Sequence, residues 1–145
     1  MRMRRALHSA VFSAFVLFVV VACATTLALR QPLRQRLTAS VGSPIASWRW
    51  TVYRAYPARS MAGTLLYSGT TGSVLRVSYR EFAGPLAGGP SYARPAFTQD
   101  LTYDLTASRE ISFRDILIEI EEATPSQVKY RILRGPSLES LEAAP

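Results

Sequence analysis

The stretch FTQDLTYDL, residues 97–105, alternates apolar with polar except at Gln99. Phe97, Leu101, Tyr103 and Leu105 share one side with Gln99, while Thr98, Asp100, Thr102 and Asp104 share the other. A helix repeats every 3.6 residues and would scatter these two sets around its circumference. A strand repeats every two and sorts them onto opposite faces, so the stretch predicts a half-buried strand with one wet face.

The same period extends in both directions. Ser73 to Phe82 sets Leu75, Val77 and Tyr79 against Arg76, Ser78 and Arg80. Before it, Thr64 to Tyr67 reads as a short strand, with a turn over residues 68–72, SGTTG, closing a hairpin. Trp48 to Tyr53 predicts the first strand, with Trp48, Trp50 and Val52 on one face. Downstream, Ile111 to Glu121 predicts a strand with Ile116, Ile118 and Ile120 facing inward. The chain then turns at Thr124-Pro125-Ser126 and returns as Val128 to Leu133. Folding the last two together brings Glu121 toward Lys129 and Glu119 toward Arg131, so that opposite charges meet across strands. The segment 83–95, AGPLAGGPSYARP, is too rich in Gly and Pro for regular structure. The predicted fold is all-β: a small antiparallel sandwich or open barrel of about six strands, preceded by an N-terminal hydrophobic helix.

That N-terminal segment decides where the protein works. MRMRR is a cationic start, and no charge follows from Ala6 to Leu29. Twenty-four uncharged residues at ~1.5 Å each are enough to cross a hydrocarbon core of ~30 Å. Three fates fit. Val20-Val21-Ala22-Cys23 resembles a relaxed lipobox, with Cys23 as the lipidation candidate. The segment also suits an uncleaved anchor, and Ala22-Cys23-Ala24 suits signal cleavage before Thr25. The expected organisation is a signal or anchor over 1–29, a juxtamembrane linker over 30–47, a β domain over 48–134 and a flexible tail over 135–145. The expected location is the bacterial cell envelope, membrane-anchored, with the β domain outside the cytoplasm.

Charge supports the same placement. The net charge is +7. Residues 1–80 hold eleven Arg and no acid, whereas residues 81–145 hold six basic and ten acidic residues. Six Arg (Arg2, Arg4, Arg5, Arg30, Arg34 and Arg36) flank the hydrophobic segment, and without them the balance is close to neutral. The basic character is therefore a membrane-targeting pattern, and no nucleic-acid partner is predicted. The single Cys and the single His, Cys23 and His8, both lie in the N-terminal segment. This leaves the β domain without a disulfide, a Cys or His metal site, or a His-activated nucleophile. No cofactor, metal or catalytic apparatus is predicted.

The candidate binding residues are surface chemistry. Trp48, Arg49, Trp50 and Arg54 interleave aromatic and cationic side chains, as interfaces do. Arg76 and Arg80 sit opposite Asp100 and Asp104 if their strands pair, forming an Arg/Asp ladder. Tyr92 and Arg94 lie in the Gly/Pro-rich segment, where they could contact a ligand. Asp100 and Asp104, ~13 Å apart along a strand, are too distant for paired-carboxylate glycoside chemistry. The function predicted is a binding or scaffolding accessory module, lipoprotein-like, whose partners are the membrane and another envelope protein. The alternatives are a small-ligand binder and an Asp/Glu-dependent glycan- or lipid-modifying enzyme.

Overall fold

The computed structural model describes residues 26–52, 59–86 and 90–142, and within them the period-two stretches form strands. The N-terminal helix expected over 1–29, with Cys23, and the candidate Arg54 lie outside them, apart from residues 26–29. The described residues form ten strands, a single 3₁₀ turn over Pro95–Phe97 and a short helix, so the strand expected over 97–105 runs only from Gln99 to Asp104 and Phe97 belongs to the turn before it. The strands are β1 (Leu27–Leu29), β2 (Leu37–Ser40), β3 (Pro44–Val52), β4 (Arg59–Thr71), β5 (Val74–Pro85), β6 (Tyr92–Ala93), β7 (Gln99–Asp104), β8 (Glu110–Phe113), β9 (Ile116–Ala123) and β10 (Gln127–Arg134). Helix α1 (Leu138–Glu142) follows.

Two antiparallel sheets result. The first runs β1-β3-β4-β5, and the far side of β5 is shared: β6 pairs with Phe82 and Ala83, and β7 with Val74 to Tyr79. The second runs β2-β10-β9-β8. Alternate residues of both sheets meet in one core. Trp48, Trp50, Met61, Leu65, Tyr67, Leu75, Val77 and Tyr79 come from the first sheet, and Ile111, Ile116, Ile118, Ile120, Val128, Tyr130 and Ile132 from the second. Each such side chain contributes ~1.5–3 kcal/mol by leaving water. The Tyr67 hydroxyl donates to the Thr124 carbonyl oxygen, and the Tyr103 hydroxyl to the Ser112 carbonyl oxygen at 2.9 Å. Both bonds join one sheet to the other. The arrangement fits a β-sandwich.

Several boundaries differ from the sequence reading. Residues 30–47 do not form a plain connector, because they supply β2 and the start of β3. The Gly and Pro that argue against a helix there are compatible with strands. Gly42, at φ 81°, takes the corner between β2 and β3, and Pro44 opens β3, where a missing N–H costs least. Leu27 and Leu29 prolong the apolar N-terminal run because they pack on the core as β1. Ile111 to Glu121 is a hairpin and not one strand. Phe113 pairs with Ile116 around Arg114 and Asp115, whose φ values are 47° and 64°.

Residues 83–95 are partly regular, since β5 continues to Pro85 and β6 returns alongside it. The hairpin turn expected over 68–72 tightens to Gly72-Ser73, because β4 continues to Thr71 through an irregular pairing after Tyr67. In the expected tail, α1 buries Leu141 and packs Leu138 against the core.

Candidate functional site

Strand alternation distributes the candidate residues between two faces of the first sheet. On β5, positions 75, 77, 79, 81 and 83 point inward, and 76, 78, 80 and 82 outward. On β3, Trp48 and Trp50 are buried while Arg49 is exposed. The two Trp rings are therefore core and do not form a surface with Arg49. The Trp48 indole lies across Gly63, its cross-strand partner, and stacks on Tyr79 with ring centres 5.8 Å apart.

Arg49, Arg76 and Arg80 share the outer face of the first sheet. Arg49 pairs with Ala62, whose other neighbour is Phe82, and Arg80 pairs with Thr64. Strand spacings put Arg49 and Arg76 each about 12–13 Å from Arg80. The Arg/Asp ladder does not form. The β5–β7 register sets Arg76 opposite Thr102 and Asp100 opposite Ser78, so the charges are offset. Asp100 accepts a hydrogen bond from the Ser78 hydroxyl. Asp104 accepts from the Thr106 N–H at 2.9 Å and the Thr106 hydroxyl at 2.7 Å, bonds that hold its carboxyl below the ordinary value. Among the described residues, Arg49, Arg76 and Arg80 have no ion-pair partner.

The outer face of the second sheet is built differently. Arg36 and Arg131 both reach Glu121, at 2.6 Å and 2.9 Å, Arg131 also reaches Glu119 at 3.2 Å, and Lys129 meets Glu122 at 2.6 Å. Six charged side chains there are paired within the chain, whereas Glu110, exposed on β8 opposite Glu119, has no ion-pair partner among the described residues. The Glu119–Arg131 pair has the predicted register. Lys129 lies opposite Glu122 and not Glu121, because the ladder slips between Lys129 and Tyr130.

The inward face of β5 carries a second cluster that no motif announced. Glu81 is 3% exposed. One carboxylate oxygen binds Arg94, and the other accepts from the Tyr79 hydroxyl at 2.7 Å and from Arg114 at 3.2 Å. The Arg94 guanidinium also lies 3.6 Å above the centre of the Phe97 ring, and Arg114 covers Tyr79 at 4.7 Å. Burial, reinforced by donation to Glu81, holds the Tyr79 phenol far above its ordinary range. The carboxylate is engaged by two guanidiniums and a phenol, an arrangement that pins structure together. Arg94 ties in the chain after β6, and Arg114 ties in the β8–β9 turn of the other sheet. The signal for it was present, since Glu81 continues the inward phase of Leu75, Val77 and Tyr79. Arg94, predicted as a loop contact, serves this pin. Tyr92 stays exposed on β6.

Among the described residues no cluster of His, Cys, Asp or Glu is arranged to hold a metal ion, and no helix is long and apolar enough to cross a membrane. Comparison of the chain with protein families, with curated proteins and with solved structures found no match.

Proposed function

We propose that the chain is a membrane-tethered, extracytoplasmic envelope protein whose β domain binds or scaffolds another envelope protein. Its partner docks on the outer face of the first sheet, around Arg49, Arg76 and Arg80. The contrast between the two outer faces carries this reading. One pairs most of its charges within the chain, and the other presents three guanidiniums outside ion-pair distance of any described carboxylate, its own Asp100 and Asp104 being offset on β7 and bonded to Ser78 and Thr106. An Arg has five donors in a fixed fork, suited to carboxylates across an interface. Ala62, Leu66 and Phe82 on the same face add apolar contact between the cations. The partner surface is accordingly acidic, with apolar ground between its charges.

The tether is supported by the sequence. With Leu27 to Leu29 taken up by β1, Ala6 to Thr25 still supply twenty uncharged residues, ~30 Å as a helix, which matches the hydrocarbon thickness.

A photo-crosslinking residue at Ala62, in cells making the full chain, tests the reading. One adduct of defined mass is expected, and it should disappear when Arg49, Arg76 and Arg80 are all changed to Glu. Absence of an adduct, or an adduct unaffected by charge reversal, would refute the proposed face.

A further inference from the structure

We infer that the end of the sandwich at which the chain enters rests on the bilayer, with Leu86 and Tyr92 in the headgroup layer. This deepens the tether reading and depends on it. Only Thr25 and Thr26 separate Ala24, the end of the most apolar stretch, from Leu27, the first residue of β1. Three extended residues reach at most about 11 Å. Thr26 is itself pinned to the fold. Its carbonyl oxygen accepts from the Thr51 N–H at 3.2 Å, and their hydroxyl oxygens are 3.3 Å apart. A tether ending at Cys23 as a lipid anchor, or at Ala24 as a span, leaves the domain no room to stand away from the membrane.

The register identifies which surface that end presents. Leu27, Trp50, Met61, Ala83 and Tyr92 form one row across β1, β3, β4, β5 and β6. Beyond the row lie Arg59, opposite Pro85, and then Leu86. Leu86 is 44% exposed and Tyr92 54%, and they are two of four large apolar residues so exposed among those described. Arg59 is exposed beside them, while Arg94, partly exposed, is held by Glu81. Asp115, at the β8–β9 turn, accepts from Ser137 through its carboxylate and from Arg134 through its backbone oxygen.

The opposite end has other chemistry. Its turns are Gly72-Ser73, Thr106-Ala107-Ser108 and Thr124-Pro125-Ser126, small and uncharged, with Val41 as its exposed apolar residue. Tyrosine favours the membrane interface because its ring is apolar and its hydroxyl is wet, and Arg is drawn to anionic headgroups. Both belong at the end beside the tether, and that is where they stand.

Depth-dependent quenching of the full chain tests the orientation. Leu86→Cys, Tyr92→Cys, Ser73→Cys and Ala107→Cys would each carry an environment-sensitive fluorophore, with the unsubstituted chain labelled in parallel to subtract any signal from Cys23. The proteins are placed in phosphatidylethanolamine–phosphatidylglycerol vesicles that contain a nitroxide-headgroup lipid. Emission should be lost at positions 86 and 92 and retained at 73 and 107. A chain that floats with the vesicles but is quenched equally at both ends, or only at 73 and 107, overturns the orientation and leaves the tether reading standing. A chain that does not float with the vesicles removes both.

Discussion

Glu81→Gln isolates charge from shape. Glutamine keeps the volume of the side chain and an oxygen for the Tyr79 hydroxyl, but it leaves Arg94 and Arg114 facing one another without an anion. Breaking a fully buried ion pair costs about 3–5 kcal/mol. Glu81 is 2% exposed at its side chain, whereas Arg114 is 16% and Arg94 32% exposed, so water recovers part of that loss. The expected destabilisation is about 2–3 kcal/mol, or ~10–15 °C in Tm for a domain of this size. Urea unfolding of the full chain in detergent micelles measures it, with the buried Trp48 and Trp50 as fluorescent reporters. The midpoint should fall while the slope stays constant, because the same surface is exposed on unfolding. Arg114→Met closes a double-mutant cycle with Glu81→Gln, and a coupling above ~1 kcal/mol is expected for groups in direct contact. Faster hydrogen exchange at the Arg94 N–H, which donates to the Glu81 carbonyl oxygen, should accompany the loss. A Glu81→Gln chain within ~0.5 kcal/mol of the original, the range of inconsequential surface changes, would refute the view that this cluster pins the two sheets.

Other predictions follow from packing, titration and processing. Gly63→Ala places a Cβ 2.5 Å from the Trp48 ring, which Tyr79 backs, so it should cost ~1–3 kcal/mol although Ala ordinarily outperforms Gly in a strand; stabilisation in the same urea assay would show that the indole moves aside. Burial pushes the Tyr130 phenol up to about 12 and raises Tyr67, Tyr79 and Tyr103 as well. Folded values above the unfolded value of 10.0 mean that this stability is complete below pH 10 and is lost as pH rises toward 12. Phenolate absorbance from these four tyrosines should therefore rise together with loss of β circular dichroism, and any of the four titrating near 10 in an intact fold would contradict the burial. For the N-terminus, intact mass of the envelope fraction is compared with Cys23→Ser. A mature chain starting at Cys23 with added acyl mass, lost on substitution, identifies a lipoprotein. Full-length mass in both identifies an uncleaved anchor, and a chain starting at Thr25 identifies plain secretion.

What could be read from residues alone was local and periodic. The strands around 73–82 and 128–133, the 99–104 part of the strand expected over 97–105, and the Glu119–Arg131 pair follow from alternation that a pleated backbone converts directly into faces. Glu81 was legible by phase but carried no motif, because a carboxylate among inward apolar positions acquires meaning only when its cations are located. Those come from Arg94 and Arg114, thirteen and thirty-three residues away. The Arg114-Asp115 turn was not legible, since a hairpin with two positive-φ residues usually shows Asn or Gly there. Here the contacts of Arg114 with Glu81 and Tyr79 offset the backbone strain. The slip that gives Lys129 to Glu122 is likewise a backbone event with no residue signature. Trp48 and Trp50 mark the division most clearly. Alternation with Arg49 sorts them to one face in any fold, but only the arrival of the second sheet makes that face the interior, because burial depends on what lies across the gap and not on the strand itself.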